Sequence, residues 1–330
     1  MISDPLVEAS QRQSESESTP FFSIIMPCFN SESYLEESIR SVLEQTETDF
    51  ELIVVDDGSS DSSTSIIQDI NKQDQRVKLA VNKGGKGASG ARNYGASVCV
   101  GEWLCFLDSD DLFEPNALAQ RRDAASKAPS CEFFSSDFFR WQADDKSPAK
   151  LQTDVNDYWK FYFKKAGTCG LYILTEDIAP IFIKAPLAWT GGVTMKKSLF
   201  MELGGFDEAL IRAEDDHLWI RGATKTGRVG LIGYPDAYYR IRTTGLSQGT
   251  GARTPYSPIM LKRLLKEPLL KNYKSQISDK LELETYLLSL YYRECGNRRL
   301  AIQFAWQSFQ ASSFKYSKLR NLVGTIINNS

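Results

Sequence analysis

Phe50-Glu51-Leu52-Ile53-Val54-Val55-Asp56-Asp57-Gly58-Ser59 and Trp103-Leu104-Cys105-Phe106-Leu107-Asp108-Ser109-Asp110-Asp111 share one design, a short apolar run that ends in carboxylates. Runs so short and so continuously apolar read as strands buried on both faces. Phe21 to Met26 is another such run, interrupted by Pro27, and Val77 to Val81 is a further one. Between them lie stretches with helical character: Leu35, Ile39, Val42 and Leu43 after a capping box Ser33-x-x-Glu36, then Ser60 to Ile70, then a helix from about Ala91. Strands alternating with helices predict an α/β fold with a mostly parallel central sheet. Both acidic clusters then lie at carboxyl ends of strands, the edge where open α/β sheets bind ligands.

Three carboxylates within Asp108 to Asp111 repel one another unless a cation sits between them. Hard divalent cations take oxygen ligands and are often held by one or two carboxylates plus substrate phosphates. The pattern predicts an incomplete metal site completed by a diphosphate; an acidic turn capping the next helix is the plainer alternative. Gly85-x-Gly87-x-x-Gly90 matches the dinucleotide fingerprint, but two βα units precede it, whereas that fingerprint belongs to the first βα turn. The loop is better read as bringing backbone N–H groups and Arg92 toward a nucleotide diphosphate.

Composition excludes several classes. The chain has 330 residues, 42% of them hydrophobic, and a net charge of -3, which gives no support for nucleic-acid binding. Residues 255–330 carry twelve Lys/Arg against five Asp/Glu, and residues 1–254 twenty-seven against thirty-seven. Six cysteines without C-x-x-C spacing suit a reduced, cytoplasmic protein, and a single histidine makes a zinc site improbable. Residues 1–20, rich in Ser, Glu and Gln, read as a disordered tail rather than a signal peptide. No apolar run reaches membrane-spanning length.

Six ordered motifs between Phe22 and Ser247 resemble the family 2 glycosyltransferases and their GT-A fold. They are Met26-Pro27-Cys28-Phe29-Asn30, Val55-Asp56-Asp57-Gly58-Ser59-x-Asp61, Asn82 with Gly90-Ala91-Arg92-Asn93-x-Gly95, Asp108-Ser109-Asp110-Asp111, Gly204 to Glu208, and Glu214-Asp215. The resemblance implies an inverting transferase that moves a sugar from a nucleotide-diphosphate donor, a UDP-sugar by preference, to a hydroxyl of a saccharide or lipid-linked acceptor. It implies Mn2+ or Mg2+ as cofactor. Pro27, Phe29, Asn30 and Asp57 match nucleotide-binding positions, with Asp57 accepting from a uracil N–H, and Arg92 matches a residue near the nucleotide. Asp108 matches the first aspartate of the D-x-D motif, Asp110 and Asp111 the metal-facing carboxylates, and Asp215 the general base with Glu214 beside it. Read by themselves, Pro27 can end a strand, Phe29 can be core and Asp56 can cap a turn.

Other residues depart from the family pattern or lie beside it. Tyr239-Arg240-Ile241-Arg242 puts Arg242 where many members carry a histidine; an arginine cannot ligate metal but can clamp phosphate. No Q-x-x-R-W follows Asp215, so single addition is expected rather than processive synthesis. His217 is expected on a helix surface or in a local pair. Phe133 to Trp141 reads as a strand, the aromatic run Tyr158 to Phe163 as core or as an acceptor platform, and 142–156 as a loop. Trp189 in Ala188-Trp189-Thr190-Gly191-Gly192 is expected on the acceptor side. The chain divides into a tail (1–20), a catalytic domain (21–254, its nucleotide half 21–111 and acceptor half 112–254) and a helical C-terminal extension (255–330). The extension is expected to form a hairpin with Tyr286, Leu287, Leu290 and Tyr291 on one apolar face and Leu300, Phe304 and Ala305 on the other, turning at Gly296-Asn297; its basic balance suits an anionic membrane surface or a partner. A nucleotidyltransferase and a catalytically silent sugar-nucleotide or partner-binding module are the alternatives. The oligomeric state is not legible.

Overall fold

The computed structural model describes residues 19–142, 149–242 and 255–311. Ten strands form one sheet: β1 (Phe22–Cys28), β2 (Phe50–Asp56), β3 (Val77–Val81), β4 (Trp103–Phe106), β5 (Leu112–Phe113), β6 (Phe133–Trp141), β7 (Lys150–Leu151), β8 (Leu171–Leu174), β9 (Val193–Lys196) and β10 (Val229–Arg240). The order is β3-β2-β1-β4-β9-β6-β10-β5, with β7 beside β6 and β8 beside β10. The longest ladders, β1–β2 and β6–β10, are parallel, as are β2–β3 and β1–β4. β9 enters antiparallel between β4 and β6 and joins the two halves.

Both faces of the sheet are covered, which is why the strands are apolar at consecutive positions. Alternate residues feed two cores. Ile25, Ile53, Val55, Leu104 and Phe106 face one; Ile24, Met26, Leu52, Val54, Trp103 and Cys105 face the other. The second core is closed by helices Leu35–Leu43, Ser63–Gln73 and Ala117–Lys127 through Ile39, Val42, Ile67 and Leu118. The first is closed by helices Ala88–Val98 and Glu214–Thr226 and by the C-terminal helices Tyr256–Leu264 and Lys274–Glu294, through Ala91, Leu218, Leu261 and Ile277.

Pro27 does not interrupt β1. Odd-numbered residues of β1 bond toward β4 (Trp103 N–H to Phe21 O, Leu107 N–H to Ile25 O), and that ladder ends at Ile25 opposite Phe106. The N–H that Pro27 lacks would point where no strand remains to receive it.

Helix starts differ from the sequence expectation. Ser33 and Glu36 form no capping box: the first helix begins at Leu35, and the Tyr34 and Leu35 amides donate to the Ser31 carbonyl. The next helix starts at Ser63 rather than Ser60, because Asp61 accepts the Ser63 N–H. The one after starts at Ala88 rather than Ala91, since Gly87, at φ 90°, takes the preceding turn. The stretch expected as a loop over 142–156 contains β7 and a short helix, Gln152–Val155; residues 143–148 lie outside the described residues.

The C-terminal hairpin is present: Lys274–Glu294 packs on Arg298–Ala311, with Gly296 and Asn297 in the turn. Its buried line is Ile277, Leu281, Thr285, Leu288 and Ser289, not Tyr286, Leu287, Leu290 and Tyr291, which are only partly covered. Small Thr285 and Ser289 let the second helix approach closely, and their hydroxyls bond back to the Leu281 and Tyr286 carbonyls. Residues 1–18 and 312–330 are outside the described residues, so the expected tail and the end of the basic extension are untested.

Candidate active site

The carboxyl ends of β1, β2 and β4 meet at one edge, and their loops are laced together. Asn30, at φ 49°, accepts the Ser60 N–H on its side-chain oxygen at 2.8 Å, and its own N–H donates to Ser59 Oγ. Glu32 N–H donates to Asp61 at 3.0 Å, and the Ser31 and Ser109 hydroxyls lie 2.7 Å apart. Asp56 is buried and accepts the Gly58 and Ser59 amides, so it caps its own turn. Phe29 is 60% exposed at this edge and is not core.

Asp57 turns to the glycine loop. Its two oxygens accept Asn82 Nδ2 at 2.6 Å and the Gly87 N–H at 2.7 Å. Asn82 also reaches the Gly85 carbonyl and receives the Gly84 N–H. A Cβ at Gly90 would run into the Gly85 carbonyl, so that glycine is required by close backbone approach. The fingerprint-like spacing here builds a loop clamped by Asp57 and Asn82.

The Asp108–Asp111 cluster splits into exposed and buried members. The Asp108 and Asp110 side chains are 37% and 18% exposed, whereas Asp111 is 2% exposed. Asp111, expected to face a metal, is turned inward: its Oδ1 accepts the Arg240 N–H at 2.8 Å and so ties the end of β10 to the cluster. Arg240 is held between the Tyr34 and Trp141 rings and donates to the Asp110 carbonyl and to Glu37. Arg242 lies over Tyr34 and pairs with Asp110 Oδ2 at 2.5 Å. Burial and then Asp108 push Asp110 upward, against the pull of Arg242, while burial, Asp110 and Asp108 push Asp111 well above the carboxylate range. Carboxyls driven toward neutrality by one another are relieved by a cation, and oxygen donors suit a hard divalent one. Among the described residues no three Asp, Glu, His or Cys side chains converge to hold a metal by themselves.

Arg92 joins this cluster to a second carboxylate group. It is buried over the Phe206 ring and pairs with Asp108 at 2.6 Å and Glu214 at 3.1 Å. Glu214, Asp215 and Asp216 form the first turn of Glu214–Thr226, where negative charge suits the helix dipole. Ala213, at φ 62°, makes the sharp entry into that turn. Leu218, Trp219 and Ile220, all fully buried, anchor the helix below. Burial and then Asp215 push Glu214 up to about 7, opposed by Arg92. The two oxygens of Asp215 accept the Asp216 N–H at 2.8 Å and the Thr190 hydroxyl at 3.3 Å.

Trp189 is half-buried, stacked on Phe138 at 4.4 Å and edge-on to Tyr239, so one aromatic wall continues toward Thr190 and Asp215. Trp159 and Phe163 belong to the core beside it. His217 is not on a helix surface. It is buried, its Nε2 lies 3.6 Å from Glu267, and burial pushes it down to about 4. Sequence reasoning missed Arg121, Asp236 and Thr190. Arg121 and Asp236 sit in unremarkable helix and strand stretches, and no local pattern marks their pairing.

The profile of the glycosyl transferase family 2 matches residues 23–184. An uncharacterized glycosyltransferase of Haemophilus influenzae is 43% identical over 31% of this chain and 41% of its own length. EpsJ of Bacillus subtilis, an uncharacterized glycosyltransferase, is 27% identical over 78% of this chain and 69% of its own length. The Escherichia coli UDP-Glc:alpha-D-GlcNAc-diphosphoundecaprenol beta-1,3-glucosyltransferase WfgD is 45% identical over 29% of this chain and 37% of its own length. The chain thus spans well under half the length of two of these three relatives. S. aureus TarS 1-349 in complex with UDP superposes with a TM-score of 0.62 at 17% identity, covering 93% of this chain and 88% of that one. The mannosyltransferase PcManGT of Pyrobaculum calidifontis, in complex with GDP-Man and Mn2+, gives 0.52 at 18% identity, covering 94% and 81%. Over residues 23–184 the chain thus matches glycosyltransferase family 2, and its sheet has the GT-A fold, with the Asp108–Asp111 and Glu214–Asp216 clusters together at one edge.

Proposed function

We propose that the protein transfers one sugar per encounter, with inversion, from a nucleotide-diphosphate donor, a UDP-sugar by preference, to a hydroxyl of a lipid-linked or saccharide acceptor in cell-surface glycan synthesis. The observation that carries this is the Arg92 bridge, which brings the Asp108–Asp110 edge and the Glu214–Asp215 turn into one site. The UDP in the TarS complex and the diphosphoundecaprenol acceptor in the WfgD name support the donor and acceptor classes. Asp215 takes the proton of the acceptor hydroxyl; that oxygen forms its bond to the anomeric carbon as the bond to phosphate breaks, and the nucleoside diphosphate leaves with the electron pair. Pro27, Phe29 and Asn30 contribute to the wall around the nucleotide, and Asp57 accepts from its base once the glycine loop yields. Arg242 meets the diphosphate, and Trp189 offers its face to the acceptor ring. Asp108 and Asp110, not the inward Asp111, would hold Mn2+ or Mg2+, which offsets charge on the departing diphosphate. Among the described residues no helix is long and apolar enough to cross a membrane. A cytoplasmic, peripheral location at the membrane carrying the acceptor follows from this reading.

The family 2 match over residues 23–184 supports glycosyl transfer over the nucleotidyltransferase alternative. The test that separates an enzyme from a silent module is Asp215→Asn. It should bind UDP as the unmodified chain does in titration calorimetry, yet lose about 10²–10⁴-fold in transfer. Wild-type transfer by the variant would remove Asp215 as the base. Donor binding by the unmodified chain without transfer or hydrolysis would favour the module.

A further inference from the structure

We infer that Thr190 is a positioning residue for the Asp215 carboxylate, held in place by the fully buried Arg121–Asp236 pair. The inference rests on the reading of Asp215 as the base and adds what aims it. A carboxylate at the first turn of a helix can rotate freely unless both oxygens are engaged. Here Oδ1 is taken by the Asp216 amide of the same turn and Oδ2, among the described residues, by Thr190 from a different part of the fold. Thr190 is 4% exposed, and its branched side chain has few rotamers, so its hydroxyl position follows its backbone.

That backbone is over-determined. The turn Thr190–Gly192 closes with Gly192 N–H on the Trp189 carbonyl at 2.8 Å. Arg121 Nη2 donates to the Gly191 carbonyl at 2.6 Å, and Nη1 reaches the Val193 carbonyl at 3.5 Å. Asp236 fixes the other side of that guanidinium with contacts of 2.7 and 3.0 Å and receives the Ser136 hydroxyl at 2.5 Å. Added Cβ atoms would strike the Trp189 ring at Gly191 and Ser136 at Gly192, so the turn tolerates little else. Arg121 and Asp236 are 0% exposed and touch no solvent-facing surface, so neither can meet substrate. A buried ion pair is weak evidence for stability in itself. Its geometry here serves one end, the fixed carbonyls of Gly191 within the Thr190–Gly192 turn and of Val193 just after it. The 3.3 Å contact is long for O–H···O, as catalytic contacts often are before substrate binds.

The test uses the full chain with UDP-glucose, following UDP release with an undecaprenyl-diphosphate-linked N-acetylhexosamine acceptor, alongside crystal structures of the variants. Thr190→Val removes the hydroxyl and keeps the shape. It should lower kcat about 10- to 100-fold with KM for UDP-glucose unchanged within about twofold. Thr190→Ser should restore kcat. In the Thr190→Val crystal structure, the Asp215 carboxylate should have rotated away from the turn. An unrotated carboxylate, or wild-type kcat in Thr190→Val, overturns the inference. If Asp215→Asn is inactive while Thr190→Val is not impaired, only this inference fails; if Asp215→Asn transfers normally, the base reading fails and takes the inference with it.

Discussion

Asp110 carries the tension of the site. It is pushed upward by burial and by Asp108 and is held by Arg242 at 2.5 Å. A divalent cation held with a diphosphate would compete with that guanidinium for the same oxygen, and Arg242 would then be free to clamp phosphate. UDP binding should therefore tighten about tenfold or more, worth about 1.4 kcal/mol, when Mn2+ is added to chelator-treated protein. Asp110→Asn should remove most of that gain. Titration calorimetry giving the same UDP affinity with EDTA and with Mn2+ would leave Arg242 as the source of phosphate stabilisation. Arg92 acts at the same scale as a strut: both guanidinium ends are engaged by carboxylates, so it joins the Asp108 cluster to the Glu214 turn.

The helix Glu214–Thr226 concentrates perturbed groups at its first turn. Glu214 is pushed up to about 7 and Asp216 up to about 8, in both cases by burial first and Asp215 second, with Lys280 of the Lys274–Glu294 helix opposing at Asp216. His217 is pushed down to about 4 by burial and then by Arg221, with Asp207 opposing. A carboxyl raised in the folded chain keeps a proton that the unfolded chain releases, so its contribution to stability is lost as pH rises toward the folded value. His217 acts oppositely, but only below its ordinary 6.5. Between pH 6.5 and 8 the two carboxyls alone are changing among these three groups, so stability should fall, by an amount of order 1 kcal/mol. Urea unfolding in EDTA at the two pH values measures it. A stability that rises or stays flat across this window would show that the turn is ionised throughout.

At the scale of the whole molecule, the C-terminal helices share a hydrophobic core with the sheet and the helix Glu214–Thr226. Met260, Leu261, Leu264, Ile277 and Leu281 share a core with Leu218, Trp219 and Phe106, and Arg263 pairs with Asp207 at 2.6 Å. Beyond that shared core the hairpin leaves Leu283 and Trp306 exposed but is nearly balanced in charge, five Lys/Arg against four Asp/Glu over 274–311; the basic excess of residues 255–330 lies in 255–273 and 312–330. Each Lys or Arg near an anionic bilayer is worth about 1 kcal/mol. The chain should therefore sediment with vesicles containing phosphatidylglycerol, be released by high salt, and stay in solution with neutral phosphatidylcholine. Equal recovery with both vesicle types would assign the basic residues to solvation alone.

Much of the fold is local information. β2 was legible to within a residue because a strand covered on both faces is apolar along nearly its whole length, and the acidic residues that follow stand out against that background; β3, at the sheet edge, was legible from its Val, Leu and Ala although Lys78 and Val81 are exposed. The motif order was legible for the same reason: Asp57, Asp108, Asp110 and Asp215 sit in short stretches whose chemistry is unusual in itself. Helix starts were less legible, since the donors and acceptors that set them, Ser31 and Asp61, act through loop geometry. What the sequence could not show is pairing across distance. Arg121 meets Asp236, Arg92 meets Glu214, and Thr190 meets Asp215 because the sheet order brings β10, β9 and the carboxylate turn together. None of these partners is marked by spacing or periodicity. Strand identity is set by how each residue meets water, which composition records; contacts between residues far apart in the chain are set by which strands neighbour one another, and only the tertiary structure decides that.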